Sequence, residues 1–285
     1  MSTKIKEIKP IEYSANSKLI AFNKPLVMAI VNITPDSFYD GGKFDSVEDV
    51  LRDVEEKINL GADIIDIGGA STRPGAKEIH HHEEWQRLHP VLNSVRKHFP
   101  EICISIDTYN SETANKSANE GADIINDVSG GDKDDKMYEI ISKLNLPYIL
   151  MHSLGKPAVM QKNPEYANVV EDIYNALQTK IKLLENLNFS KIILDPGFGF
   201  GKSVQHNYQL LKHLSLFTDL GFPVLAGVSR KSMINAVIGT NPVTALNGTT
   251  VLNTLAILNG ASILRVHDVV EAKQVIELIR YYKNV

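Results

Sequence analysis

The chain has 285 residues, 43% of them hydrophobic and 22% charged, an ordinary globular composition that excludes disorder, a fibrous repeat and a small stapled scaffold. Thirty basic against 34 acidic side chains give a formal charge of -4, so neither nucleic acid nor an anionic membrane is an expected partner. Cys103 is the one cysteine, the opening MSTKIKEIKPIEY has no apolar leader core, and no apolar run approaches the roughly 20 residues that span a bilayer, so a cytoplasmic enzyme of small molecules is the expectation.

Residues 1–24 read as an N-terminal extension carrying a hairpin, and 25–285 as a single domain with no linker. Short apolar, β-rich runs follow at 26–31, 63–67, 102–106, 123–126, 148–151, 192–194, 224–226 and 263–266. Between them lie stretches of helical period, such as Val47, Val50, Leu51, Val54 and Ile58, or Ile173, Leu177, Ile181, Leu184 and Leu187. Near-continuous Ile, Val and Leu in each run imply strands buried on both faces. Eight strand–helix units predict an α/β fold of the closed (β/α)8 TIM-barrel type. An open doubly wound sheet would carry a Gly-rich phosphate turn after its first strand; Asn32-Ile33-Thr34-Pro35-Asp36-Ser37 stands there instead. Asn145-Leu146-Pro147, Leu220-Gly221-Phe222-Pro223 and Asn259-Gly260-Ala261 read as turns feeding strands.

In such a barrel all strand carboxyl ends meet on one face, so the polar residues found there are weighed as a set. The set is Asn32, Ser71-Thr72-Arg73, Asp107, Asn126-Asp127, His152, Asp195, Ser229-Arg230-Lys231, and Arg265 with His267. A single Asp after a strand is more often a cap or turn residue. Taken together, Asp107, Asn126 and Asp195 offer hydrogen-bond partners to a flat heterocycle with several N–H groups on one edge, and Lys231 adds a cation for a ring oxygen or nitrogen. Arg265, His267, Arg73 and Lys231 suit an anion, and Asn32 beside a phosphate suits an oxygen ligand of Mg2+. Other signals carry less. His80-His81-His82 reads as a solvated loop rather than a zinc site, Cys103 as a packed core residue, and Asp66 either as a buried barrel group or as a neighbour of the ligand. The run from Gly197 to Lys202 lacks phosphate-loop spacing.

Seven ordered blocks resemble the dihydropteroate synthase family. They are Asn32-Ile33-Thr34-Pro35-Asp36-Ser37-Phe38 with Asp40-Gly41-Gly42, Gly68-Gly69-Ala70-Ser71-Thr72-Arg73-Pro74-Gly75, Ser105-Ile106-Asp107-Thr108, Ile125-Asn126-Asp127, Leu194-Asp195-Pro196-Gly197-Phe198-Gly199-Phe200-Gly201-Lys202, Ser229-Arg230-Lys231-Ser232 and Arg265-Val266-His267-Asp268. The resemblance implies that 6-hydroxymethyl-7,8-dihydropterin diphosphate and p-aminobenzoate are joined to 7,8-dihydropteroate with loss of pyrophosphate. It further implies that Asp107, Asn126, Asp195 and Lys231 hold the pterin, and that Asn32 with Mg2+, Arg265 and His267 hold the diphosphate. Thr72, Arg73, Pro74, Phe200, Lys231 and Ser232 would shape the p-aminobenzoate site, with Ser229 nearby. Asp40, Arg73 and Lys231 would serve the reaction itself, Phe38 would approach the reacting carbon, and loops 33–44 and 71–82 would close over the substrates. A homodimer through segments 243–258 and 269–282 and inhibition by sulfonamides, which mimic p-aminobenzoate, are part of the same implication. Ala70 stands where many members carry Glu. A methyltransferase that passes a methyl group from methyltetrahydrofolate to a corrinoid protein would share Asp107, Asn126 and Asp195 but has no obvious need of the anion anchor; a silent pterin-binding homologue would need neither that anchor nor the loops.

Overall fold

The computed structural model describes residues 11–33, 46–70, 79–154 and 165–285. A hairpin of β1 (Glu12–Ala15) and β2 (Lys18–Ala21) comes first, its turn carried by Asn16 at φ 52°. The eight barrel strands follow as β3 (Leu26–Asn32), β4 (Ile64–Gly68), β5 (Cys103–Asp107), β6 (Ile124–Asp127), β7 (Tyr148–Met151), β8 (Ile192–Asp195), β9 (Leu225–Ala226) and β10 (Ile263–Val266). Every ladder among them is parallel, in the order β8-β7-β6-β5-β4-β3-β10-β9. A bridge pairing Leu194 with Val224, supported by the Leu194 N–H donating to the Pro223 carbonyl at 2.8 Å, completes the ring. This is the predicted TIM barrel.

The principal helices lie outside: α1 (Val47–Asn59), α2 (His81–His98), α3 (Ser111–Asn119), α4 (Met137–Leu144), α5 (Val169–Asn186), α6 (Val204–Lys212), α7 (Ser215–Thr218), α8 (Ser232–Ile238), α9 (Leu246–Leu258) and α10 (Val269–Lys283). Local chemistry sets their ends. Ser46 and Asn168 accept backbone N–H groups at the starts of α1 and α5, and acidic residues fill both first turns, where the helix dipole favours them. Ile173, Leu177, Ile181 and Leu184 form the buried stripe of α5; Leu187 falls on the cap and is 42% exposed, because the stripe ends with the helix. His81 and His82 are not in a loop but open α2, with His80 as its N-cap. His81 Nδ1 sits 3.1 Å from Glu112 and His82 Nε2 lies 3.2 Å from Gln86, while the His80 and His81 rings stand 4.0 Å apart, so His81 and His82 face different partners.

Alternation along each strand divides the residues between two cores. Val27, Ala29, Val31, Ile65, Ile67, Ile104 and Ile106 face the helices. Met28, Ile64, Cys103, Ile124, Ile149, Ile193, Leu225 and Ile263 face inward and form an apolar floor at the amino-terminal end of the barrel, against which Tyr13, Ala15 and Ile20 of the hairpin pack. Cys103 is buried there and its thiol is pushed up by burial, as a core residue should be. The hairpin is pinned by Lys18, which donates to Asp123 at 3.0 Å and to the Ile102 carbonyl at 2.7 Å, and by the Tyr13 hydroxyl, which donates to the Ile192 carbonyl at 2.8 Å. Tyr13→Phe leaves that buried carbonyl short of a donor and is expected to cost about 1–3 kcal/mol, read as a lowered urea midpoint with an unchanged slope.

Candidate active site

The same inward parity that gives an apolar floor gives a polar layer above it. Asp66 and Gly68 on β4, Ser105 and Asp107 on β5, Asn126 on β6, Asp195 on β8 and Arg265 on β10 all follow floor residues at two-residue steps. The register sets Asp66 beside Ser105 and Asp107 beside Asn126. Asp66, Asp107, Asn126 and Asp195 are all at most 6% exposed.

Arg265 organises this layer. Its Nε donates to Asp66 Oδ2 at 2.7 Å and its Nη2 to Asp107 Oδ2 at 2.8 Å, a fork across two carboxylates that a lysine could not span. Asn126 Nδ2 lies 3.2 Å and 3.4 Å from the two Asp66 oxygens. Asp107 Oδ1 is buried and meets no donor among the described residues, which leaves it for a ligand. Burial pushes the Asp107 carboxyl up to about 7, with Arg265 opposing and Asp66, Glu84 and Asp127 adding to the rise.

Asp195 holds the Gly197 N–H at 2.7 Å through Oδ1, and burial raises its pKa against the pull of Lys231. Lys231, pushed down to about 8 by burial, donates to the Phe198 carbonyl, and its ammonium lies 4.8 Å from the centre of the Phe200 ring. Two glycines make this approach possible. Gly197 turns at φ +73° where a Cβ would stand 1.9 Å from the His152 carbonyl, and at Gly199 a Cβ would press on the Lys231 stem at 3.3 Å. Ser232 is exposed at the start of α8, next to Lys231.

At the rim, His267 Nδ1 lies 2.9 Å from Ser229 Oγ, which also accepts the His267 N–H at 3.2 Å. In the tautomer in which Nδ1 accepts from the Ser229 hydroxyl, the neutral ring carries its own proton on Nε2, which is then a donor. Asn32 ends β3 in an exposed position, and a Cβ on Gly68 would stand 3.4 Å from its Oδ1 and 3.5 Å from the Asp107 Cβ, so the absent side chain keeps a gap between the two residues. No group of three or more His, Cys, Asp or Glu that could hold a metal occurs among the described residues. Asp40, Phe38, Ser71, Thr72, Arg73 and Pro74 lie outside the described residues, as does most of both loops expected to close over the site.

Two residues of the strand-end set do not face the ligand layer. Asp127 accepts from Ser129, Gly131 and Tyr148 Oη, tying the β6–α4 turn on the helix side, because a step of one residue from Asn126 crosses the sheet. Arg230 turns out at φ 56° to form a fork with Asp268 and to cap the Pro242 carbonyl at 2.8 Å. Other residues gain weight only in three dimensions. Lys202 is buried, pushed down to about 7 by burial, and donates to the His152 and Phe200 carbonyls at 3.2 Å and 2.9 Å, so it pins the loop that carries Phe200. Its ammonium lies 3.2 Å from His152 Nδ1, and burial followed by this charge depresses that imidazole to about 3. Buried Glu84 of α2 accepts from Thr108, Asn110 and Thr113 and so ties α2 to the turn beyond Asp107. The signals for Lys202 were its Gly-rich surroundings; for Glu84 there was none, since an acidic residue in a first turn is a commonplace cap.

The profile of the pterin binding enzymes matches residues 28–267. Dihydropteroate synthase of Haemophilus influenzae is 46% identical over 226 residues, 79% of this chain and 82% of the relative. That of Escherichia coli is 41% identical over 230 residues, 80% of this chain and 81% of the relative. Among solved structures, Yersinia pestis dihydropteroate synthase in complex with a sulfonamide drug superposes with a TM-score of 0.90 at 36% identity, covering 96% of this chain and 99% of that one. The Xanthomonas albilineans enzyme in complex with 7,8-dihydropteroate gives 0.86 at 32% identity, over 96% and 100%. An inward polar layer on an apolar floor, ordered motifs on its strand ends and relatives matched over most of their length together place the chain in the pterin-binding enzyme family, among its dihydropteroate synthases.

Proposed function

We infer that the chain is a dihydropteroate synthase, a transferase of folate biosynthesis that condenses 6-hydroxymethyl-7,8-dihydropterin diphosphate with p-aminobenzoate to give 7,8-dihydropteroate and pyrophosphate. The observation that carries the site reading is the layer of buried Asp107, Asn126 and Asp195 with half-buried Lys231 and Arg265, in which one Asp107 oxygen meets no donor among the described residues, set above an apolar floor. A flat ring rests edge-on to such a layer and its N–H groups meet acceptors. Asp107, Asn126 and Asp195 hold the pterin edge and Lys231 a ring oxygen or nitrogen. Arg265 and His267 lie toward the diphosphate, and Phe200, Ser232, Thr72, Arg73 and Pro74 toward p-aminobenzoate.

The C–O bond at the exocyclic methylene breaks with its electron pair leaving on pyrophosphate, and the arylamine nitrogen forms the new C–N bond before shedding a proton to solvent. Positive charge grows on the pterin and negative charge on the leaving group, so buried carboxylates at one end and donors at the other both favour the transition state. Lys231, held by the Phe198 carbonyl and facing Phe200, serves the ring end in this reading. Asp40 and Arg73 complete this set in the same reading. No general base is assigned, since the arylamine attacks as the free base.

Mg2+ belongs to the same reading. Among the described residues Asn32 Oδ1, beside the gap at Gly68, is a neutral oxygen that fits an ion that keeps its waters and is carried mainly by substrate phosphates. When bound it would stabilise charge on the departing pyrophosphate. A homodimer is supported by apolar side chains left exposed on α9 and α10, among them Val251, Leu255, Leu258, Leu278 and Tyr281. A cytoplasmic setting is supported by the lone buried thiol, and no helix among the described residues is long and apolar enough to cross a membrane.

The test is pyrophosphate release from the dihydropterin diphosphate with and without p-aminobenzoate, with dihydropteroate followed by chromatography. Product and pyrophosphate are expected in equal amounts, lost on chelation of Mg2+ and inhibited competitively with p-aminobenzoate by a sulfonamide. Tight pterin binding with neither product nor pyrophosphate would overturn the reading.

A further inference from the structure

Among the buried ionisable groups, Asp66 is the one with the least accounted-for position. It is 0% exposed, sits in the middle of β4 and lies beneath the site rather than on its rim. A carboxylate taken out of water at that depth costs several kcal/mol unless its oxygens are satisfied. Its partners are not structural neighbours from its own turn. They are Arg265, 199 residues away, through Nε, and Asn126, 60 residues away, through Nδ2. Both belong to the proposed pterin subsite.

The consequence for Asn126 is chemical. The two ends of a primary amide are nearly the same size, and only their neighbours decide which one faces a ligand. A carboxylate accepts and does not donate, so Asp66 selects the Nδ2 end and leaves Oδ1 with no protein donor among the described residues. The consequence for Arg265 is geometric. Asp66 engages the Nε edge of the guanidinium and Asp107 takes Nη2, so the plane of the fork is fixed from two sides and only one Asp107 oxygen is used. The other, Oδ1, stays available.

We propose that Asp66 is a positioning residue of the pterin subsite, turning the acceptor end of the Asn126 amide to the substrate and fixing the Arg265 fork so that Asp107 keeps one oxygen for the ring. This rests on the reading of Asn126, Asp107 and Arg265 as pterin-contacting residues. Asp66 itself touches no substrate. A residue acting in this way changes affinity for the pterin while p-aminobenzoate, bound further out beside Phe200, is recognised as before.

The experiment compares Asp66→Asn, Asn126→Ala and the exchanged pair Asp66→Asn with Asn126→Asp, each with the substrates of the full reaction and with a free pterin as binding probe. With its amide oxygen kept at the Oδ2 position by Arg265 Nε, Asp66→Asn puts an N–H group where Oδ1 stood, 3.4 Å from Asn126 Nδ2, and removes the charge, so the Asn126 amide is left with one neutral, shared acceptor opposed by a donor and its orientation is no longer fixed. Pterin affinity and the KM for the pterin diphosphate are expected to weaken about 10- to 100-fold, with the KM for p-aminobenzoate within about twofold of the parent. The exchanged pair restores one donor facing one acceptor and again shows the ligand an oxygen, so most of the lost pterin affinity is expected to return. Parent-like pterin binding in Asp66→Asn, or equal loss for both substrates, or an exchanged pair no better than the single variant, would overturn the assignment. If Asp66→Asn does not fold, the exchanged pair alone decides: pterin affinity within about tenfold of the parent supports the assignment, and a greater loss overturns it. Asn126→Ala separates the two layers of inference. Parent-like pterin binding there removes the subsite reading itself, whereas weakened binding in Asn126→Ala with none in Asp66→Asn removes only the role of Asp66.

Discussion

Asp195→Asn is expected to bind a pterin roughly 100- to 1000-fold more weakly, as measured by titration calorimetry. Asp195 uses Oδ1 for the Gly197 N–H and has no donor on Oδ2 among the described residues. The Asn side chain keeps an acceptor for Gly197 but replaces the second oxygen with N–H groups. A ring N–H then faces a donor where a charged acceptor stood. Losing a hydrogen bond to a buried charge costs about 1.5–3 kcal/mol, and the opposed donors add to it, at about 1.4 kcal/mol per tenfold. Folding is not the cause of that loss. Burial raises the Asp195 carboxyl in the native state, so the native protein binds the proton more readily than the unfolded chain, and stability falls as pH rises from the ordinary carboxylate range through the raised value. Removing the charge removes this cost, and the variant should melt no lower than the parent at pH 8. A pterin affinity equal to the parent's would remove Asp195 from the site.

Arg265→Ala has the opposite signature. Two carboxylates, Asp66 and Asp107, lose their shared cation while remaining buried. Breaking a buried pair from one side costs about 3–5 kcal/mol, because what remains is an uncompensated charge. Arg265 is the main group holding the Asp107 carboxyl down, so that carboxyl, already at about 7, rises further in the variant. A group with a raised native pKa destabilises above that value and regains stability as pH falls through it, so the loss at pH 8 is expected to shrink by pH 6. Urea midpoints at both values check this, and a loss below about 1 kcal/mol that does not change with pH would contradict it. The activity loss is expected at both ends of the substrate. The family resemblance pointed to a diphosphate anchor, but the fork on Asp66 and Asp107 makes Arg265 equally part of the polar layer, so under the proposed reading weakened pterin binding should accompany weakened pyrophosphate binding. Arg265→Lys keeps the charge but cannot span two carboxylates and should fall between the two.

How much of this was legible beforehand differs from residue to residue. The runs at 26–31 and 263–266 read as buried strands because parallel strands covered on both faces must be apolar throughout, and the turns at Asn145 and Gly260 read as turns because Asn and Gly tolerate the positive φ that both residues adopt. Asp107, Asn126 and Asp195 were visible as polar residues at strand ends, since parallel strands all end on one face. Asp127 ends its strand as read, but one-residue parity turns it to the helix side, and His81 and His82 were read as loop because a histidine run carries no helix period. The motif containing Lys202 was visible, but its burial and its grip on His152 and Phe200 were not.

The amino-acid sequence by itself determined the alternation of strand and helix, the catalogue of polar groups at the strand ends and, through seven ordered motifs, the family. These are local properties, written in periodicity, turn chemistry and residue identity within a few positions. Only the tertiary structure decided which of those groups share a charge. Asp66 meets Arg265 across 199 residues, Ser229 meets His267 across 38 and Lys202 meets His152 across 50. Such pairings follow from closure of the ring and the stagger between its strands, which bring side chains from distant segments to about 3 Å of one another and set, by burial, which of them is left wanting a partner.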